Sequence, residues 1–388
     1  MTIEFSRRDL IGAGVGAALL PSIARGQTPP AKGSVGFAIV GLGKLSLGQL
    51  VPGFRNCKKA YLAALVSGSE EKANRVAAEQ KLPSRAIYNY ADFDRIVADP
   101  GIEVVYIVLP NFMHAEYTIR ALKAGKHVLC EKPMATTIED GQRMIAAAKA
   151  ANRHLMIAYR CHYEPMNLVG MRLLRSGKLG KPRIVVTDMG RQSDLSDPSD
   201  AWRLDMKKSG GGALTDMGVY GVNGARYLLN EEPTEVQAWS RTDRNDPRFK
   251  EVEDLYAWQF RFPSGAIANG STSFSYAGTM SWHVMCENGK MTADPGCFYG
   301  GNRLTVTGNG VETPQITEID QFAREMDWMA DVVRGRAPMV STAEEGVQDM
   351  RLMEAIMESA AKGGATVATN FGFRRPVDPA AVVDVPAA

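Results

Sequence analysis

From Val35 to Tyr159 the chain alternates short apolar runs with segments of helical period, and that alternation constrains its fold more than any other feature. Val35–Val40 (VGFAIV) ends in Gly41-Leu42-Gly43 and leads into a helix from about Ser46 to Phe54. Tyr61–Val66 is followed by helical spacing over Glu70–Lys81, and Glu103–Leu109 by a helix from about His114 to Ala124. His127–Cys130, a helix over Ile138–Ala151 and the run His154–Tyr159 complete the series. Strands separated by helices predict a doubly wound parallel sheet. After Tyr163 the pattern changes. A helix over Pro165–Ser176 gives way to KPRIVVTDMG, TEVQAWSRT, LYAWQFRFPSG, AIANGSTSFS, SWHVMCENGKMTA and RLTVTG, strands without intervening helices. These predict a large, open, predominantly antiparallel sheet, joined by helices over Gln321–Arg334 and Glu344–Ala361. The expected fold is α/β plus α+β, with a nucleotide-type domain over 35–160, a second domain over 161–370 and a tail over 371–388.

Gly41-x-Gly43-x-x-Ser46 stands between a predicted strand and a predicted helix. Gly41 permits the tight turn, Gly43 lets a pyrophosphate approach the backbone at the helix N-terminus, and Ser46 is small enough for the third position. A dinucleotide-binding turn is the reading. The end of the second strand lacks the carboxylate that binds a free ribose 2′-hydroxyl; Ser67-Gly68-Ser69 and Lys72 stand there instead. An ammonium attracts a 2′-phosphate that a carboxylate would repel, so NADP is expected. Leu109-Pro110-Asn111 and Glu131-Lys132-Pro133 follow two later strands and are aimed at the crevice where such sheets bind ligands. In Gly210-Gly211-Gly212-Ala213-Leu214-Thr215-Asp216-Met217-Gly218-Val219-Tyr220, glycines lead into a helix on which Asp216 and Tyr220, four apart, share a face. With Lys132 they form a plausible proton-transfer set, in which a nearby ammonium lowers the pKa of the phenol.

The amino terminus carries Arg7-Arg8, an apolar run from Leu10 to Leu20 and Ala24-Arg25-Gly26, the three parts of an export signal. The paired arginines favour the twin-arginine route. Residues 1–26 are therefore expected to be a signal peptide, 27–34 an extended arm, and the periplasm the destination. A net charge of +2 gives no nucleic-acid footprint. Beyond residue 26 no apolar run is long enough to span a bilayer. The five cysteines show no paired spacing and the five histidines no metal-ligand spacing, so neither a disulfide scaffold nor a metal is expected.

AIVGLGK, ALVSGSEEKA, YIVLPNFMHAEYTIRALKAGKHVLCEKPMA, MIAYRCHYEPMN and GGGALTDMGVYGVNGARYLLNEEP together resemble the glucose–fructose oxidoreductase branch of the Gfo/Idh/MocA oxidoreductase family, over roughly Val35 to Thr369. The resemblance implies a Rossmann domain followed by an α/β domain on an open sheet. It assigns catalysis to Lys132, Tyr220 and Asp216, and sugar binding to these together with Tyr159 and Arg160. Cofactor contacts fall to Gly41, Gly43, Lys44, Leu45, Ser67, Gly68, Lys72 and Tyr90 from the first half of that domain. Leu109, Pro110, Asn111, His114, Glu131, Lys132 and Arg160 supply those of its second half, and Trp202 and Arg203 lie beyond it. Many relatives end the glycine motif in histidine where this chain has Tyr220. The segment Ser193–Trp202 diverges where a substrate loop is expected.

An export signal and a nicotinamide site together make one further demand. No nicotinamide pool exists in the periplasm, so the cofactor has to stay bound and be regenerated in place. The expectation is ping-pong chemistry with tightly held NADP(H): an aldose oxidised at C1 to a lactone, then a second sugar reduced to a polyol. The alternatives are an exported NAD-dependent glycosidase of the same family and a non-enzymatic sugar-binding protein. The open sheet is expected to pair copies into a dimer or tetramer.

Overall fold

The computed structural model describes residues 31–308 and 310–385. The proposed signal (1–26), the first half of the arm (27–34) and the end of the tail lie outside the described residues. The first domain is a six-stranded parallel sheet of β1 (Val35–Val40), β2 (Ala60–Val66), β3 (Ile87–Tyr88), β4 (Val104–Ile107), β5 (His127–Glu131) and β6 (Leu155–Ala158). Its order is β3-β2-β1-β4-β5-β6, with the chain reversing direction across the sheet between β1 and β4. β1 and β4 are buried at every residue, as strands covered by helices on both faces must be. The helices begin and end where side chains dictate. Ser69 caps α1 (Glu70–Gln80) and Lys81 closes it in a left-handed conformation. Thr137 caps α3 (Ile138–Ala151) and Asn152 closes it likewise, with α2 (His114–Lys123) between the two.

The second sheet has eight strands: β7 (Pro182–Gly190), β8 (Glu235–Arg241), β9 (Leu255–Arg261), β10 (Ile267–Ser273), β11 (Thr279–Cys286), β12 (Lys290–Ala293), β13 (Leu304–Thr307) and β14 (Val367–Ala368). Their order is β13-β12-β11-β7-β10-β9-β8-β14. Every pairing is antiparallel except β7 with β10. Burial alternates along β9, the mark of a sheet covered on one face. The covering helices are α4 (Pro165–Arg175), α5 (Val219–Leu229) and α7 (Ala343–Ala361); α6 (Gln321–Val333) lies against the first domain. There Asp327 of α6 accepts from the backbone of Lys58 and Lys59 at 2.8 and 2.7 Å. α7 reaches both sheets. Thr342, its cap, bridges Met156 of β6, and Ser359 accepts from the Ala238 amide of β8 at 2.8 Å.

Three local readings change. SWHVMCENGKMTA is a hairpin of β11 and β12 rather than one strand, because Asn288-Gly289 turns the chain. β3, two residues long, is too short to show a period. The helix after the glycine turn opens with a wide π-helical turn, Ser46–Leu50, before Val51–Gly53. The described end of the arm is held by Arg334, which donates to the carbonyls of Gly33 and Ser34 at 3.2 Å, at the end of β1 away from Gly41. The tail lies along α4, with Arg172 bonded to the carbonyls of Ala380 and Val383 at 2.9 and 2.8 Å.

Candidate active site

The carboxyl ends of β1, β2, β4, β5 and β6 open on one cavity of about 690 Å³, a size suited to a cofactor and a small substrate together. Its floor is the glycine turn. Gly41 has φ +98°, and a Cβ there would sit 2.3 Å from the Val108 carbonyl, so only glycine fits. A Cβ on Gly43 would meet nothing within 4 Å; the backbone there faces open space, as a turn that cradles phosphate requires. Ser46 replaces the third small residue without loss. Its buried hydroxyl donates to the Gly41 carbonyl at 2.5 Å and locks the turn. Lys44 reaches across the cavity mouth to form an ion pair with Asp197. Ser67, Gly68 and Lys72 form the wall beyond β2, with Tyr90 packed over Gly68. No ion pair engages Lys72 among the described residues, so its charge is free for a ligand. These features fit a dinucleotide.

Lys132 and Asp216 meet at the other end. Gly210, Gly211 and Gly212 all take positive φ, a path that turns the chain into the π-helical turn Leu214–Gly218 and then α5. The Lys132 ammonium donates to the Asp216 carbonyl at 2.6 Å and lies 3.6 Å from its carboxylate. Burial pushes that ammonium's pKa down while Asp216 and Glu131 push it up. Burial alone would raise the Asp216 carboxyl, but Arg203 at 2.9 Å, Lys132 and Arg191 at 3.6 Å overcome it and hold it below the usual carboxylate range. Asp216 is thus a permanently charged anchor, not a proton carrier.

Tyr220 stands beside them, its ring 4.7 Å from the Lys132 ammonium. Its hydroxyl accepts from Arg160 Nε at 3.2 Å. Burial drives the phenol well above 10 and Arg160 opposes that rise. Two parts of the sequence-based reading are therefore corrected: the cation at the hydroxyl is Arg160, since Lys132 sits over the ring, and burial outweighs it. Behind Lys132, the Tyr106 hydroxyl lies 2.9 Å from Glu131 and 3.3 Å from Glu325. One phenol proton serves one carboxylate. Burial raises the Glu325 carboxyl well above the usual carboxylate range, with Glu131 adding to the rise.

Of the residues expected at the site, Leu45, Leu109, Pro110, Glu131, Trp202 and Arg203 also line the cavity. Asn111, His114 and Tyr159 do not. The Asn111 amide donates to the Ser209 carbonyl at 2.8 Å, tying β4 to the glycine segment. The His114 ring is buried between the carbonyls of Leu109 and Pro133, 2.8 Å from each, and braces the segment that carries Lys132. Tyr159 is buried against Asp349, to which its hydroxyl is bonded. Arg191, Asp200, Tyr299 and Phe322 line the cavity and were not read from the sequence. Arg191 follows directly on β7, the one local signal that could have found it; it holds Asp200 through two bonds of 2.8 and 2.7 Å. The divergent segment from Ser193 supplies Asp197, Ser199, Asp200 and Trp202 to the cavity wall.

A phosphate turn under a parallel sheet, with Lys132 of the same domain facing aspartate and tyrosine from a second domain, defines a nicotinamide-dependent oxidoreductase. The chain belongs to the Gfo/Idh/MocA family: residues 35–159 match its profile described as an oxidoreductase family with NAD-binding Rossmann fold, and 171–292 match the GFO/IDH/MocA C-terminal domain. Among solved structures it is similar to the aldose-aldose oxidoreductase of Caulobacter crescentus, with 40% identity and a TM-score of 0.82 over 86% of this chain and 99% of that one. It is also 31% identical to the D-xylose 1-dehydrogenase of Haloarcula marismortui named for NADP(+), over 84% of this chain and 91% of the other. A levoglucosan dehydrogenase structure, 22% identical over 87% of this chain and all of that one, shares the fold with a TM-score of 0.71. The chain is a sugar oxidoreductase.

Proposed function

We propose that this protein oxidises an aldose at C1 to an aldonolactone and reduces a second sugar to a polyol, using tightly held NADP(H) in a ping-pong cycle in the periplasm. The observation that carries this reading is the meeting of Lys132, Asp216 and Tyr220 at one end of a cavity whose other end is the glycine turn. The likeness to an aldose-aldose oxidoreductase favours an aldose as the second sugar too. A nicotinamide bound here would accept a hydride from the first sugar and deliver it to the second. Gly43, Ser67 and Lys72 would hold the nucleotide, and Glu131 would border it. Asp216, fixed by three cations, would accept sugar hydroxyl bonds, and Lys132 would donate to the reacting oxygen. Tyr220 would take the O1 proton in the first half and return one in the second. The twin-arginine signal supports export of a folded, cofactor-loaded protein. On the outer sheet face, exposed Ile184 pairs across strands with exposed Met285 and with Ile267, an apolar strip that supports assembly into a dimer or tetramer.

The test is to record the near-ultraviolet band of reduced nicotinamide on purified protein with no cofactor added. The band is expected to rise with an aldose and fall with excess of a second aldose. No band, with no nucleotide released on denaturation, would overturn tight retention and the ping-pong cycle with it. The NADP assignment has its own test. Lys72→Ala, measured by calorimetry on nucleotide-stripped protein, is expected to weaken NADP binding about tenfold, the worth of a charged hydrogen bond, and to leave NAD binding unchanged. Equal loss for both nucleotides would remove Lys72 from the 2′-phosphate site.

A further inference from the structure

We propose that Arg160 is the positioning residue that governs proton release from Tyr220, an inference that rests on reading Tyr220 as the acid/base group. Arg160 is only 3% exposed, and a guanidinium so deep is costly unless an anion pairs with it. The other deeply buried arginines here have such partners: Arg226 has Glu232 and Asp349, and Arg375 has Glu345. Arg160 has none within ion-pair distance among the described residues. Its bonds run to neutral acceptors: the Cys297 carbonyl at 2.5 Å, the Phe298 carbonyl at 3.2 Å, Gln321 Oε1 at 2.8 Å and the Tyr220 hydroxyl at 3.2 Å. The rings of Tyr220 and Tyr299 cover it at 4.7 and 4.9 Å.

Among those acceptors Tyr220 is the one that can become an anion by losing a proton, and it faces the cavity. Proton loss would turn a hydrogen bond to a neutral oxygen into a buried ion pair, which is much the stronger contact. Lys132 serves this role less well, because Asp216 already occupies its charge and it faces the ring rather than the oxygen. Around Tyr220, burial together with Tyr299, Glu131 and the Cys161 thiol keeps the proton on, and Arg160 works against them. In the oxidative step one proton would pass from the sugar hydroxyl to the Tyr220 oxygen, and the C1 hydrogen with its bonding electron pair would leave as hydride to a bound nicotinamide. That step needs the phenolate, so its rate climbs with pH below the Tyr220 titration. The reductive step needs the phenol, which dominates at neutral pH, and stays flat there.

Wild type, Arg160→Lys, Arg160→Met and Tyr220→Phe are compared in two measurements. One is the rate at which an aldose reduces the bound nicotinamide in a single turnover across pH. The other is the NMR shift of the hydroxyl-bearing ring carbon of labelled tyrosine, with Tyr220 assigned from its loss in Tyr220→Phe. Arg160→Met is expected to displace both curves to higher pH, with about a tenfold lower rate at a given pH for each unit of displacement. Arg160→Lys, which keeps a cation, should largely restore both. A merely structural role would lower nucleotide content and melting temperature in both variants and leave the curves in place. An aldose-dependent limb that vanishes in Tyr220→Phe yet does not move in Arg160→Met overturns the proposal. If wild type reduces no nicotinamide with any aldose, the functional reading fails, and the NMR titration still decides: an unmoved Tyr220 signal overturns the coupling.

Discussion

Tyr220→Phe is expected to slow reduction of bound nicotinamide by an aldose about 10²- to 10⁴-fold, the usual worth of a positioned proton carrier. Nucleotide content and fold should survive. The phenol hydroxyl is hydrogen-bonded to Arg160 Nε at 3.2 Å, whereas its ring, which phenylalanine keeps, packs against Lys132 and Arg160 at 4.7 Å. Stopped-flow absorbance in a single turnover checks this, with sugar affinity taken from the concentration dependence. A rate within a few-fold of wild type would move the proton to Lys132, a second titratable group at that end of the cavity, whose ammonium is already pushed down by burial.

Arg226→Met is expected to cost roughly 3–5 kcal/mol of stability, the penalty for breaking a buried ion pair from one side. Arg226 is fully buried in α5. It holds both oxygens of Glu232 at 2.7 and 2.9 Å and also pairs with Asp349. Asp349 and Glu345, one turn apart on α7, share the Asn223 amide at 2.9 Å each. Arg375 of the tail closes the cluster on Glu345 at 2.5 Å. Burial already pushes Asp349 up to about 6 against the pull of Arg226. Without that arginine it should take up a proton near neutral pH. Denaturant unfolding at pH 7.5 and pH 5, chosen as roughly above and below that titration, tests both parts. The deficit should be smaller at the lower pH, where the carboxyl is neutral and no longer needs a cation. An equal deficit at both would mean that Asp349 is not the group left stranded.

That cluster marks where reading from the sequence stops. Tyr159 follows directly on β6 and sits beside Arg160, and the family resemblance placed both at the sugar pocket. Arg160 turns into the cavity and Tyr159 turns into the α7 carboxylates. Adjacent residues after a strand diverge, and which one faces the ligand depends on packing from a helix nearly two hundred residues later in the chain. Asn111 and His114 misled for a related reason. They follow β4 at the correct edge, yet their polar atoms are taken up by carbonyls of the glycine segment and of Pro133.

The sequence by itself determined the parallel sheet, the glycine turn, the bare end of β2 with Lys72, and the identities of Lys132, Asp216 and Tyr220. All of these follow from local pattern: burial on both faces demands apolar runs, a phosphate turn demands glycine, and a helix places residues four apart on one side. Only the tertiary structure decided the charge states. Asp216 is held ionised by Arg203, Lys132 and Arg191, burial raises the Glu325 carboxyl well above its usual range, and Arg160 reaches Tyr220 because the carbonyls of Cys297 and Phe298 hold its guanidinium from the far end of the second sheet. A pKa is set by what lies within a few ångströms in space, and those neighbours come from segments that no local pattern links.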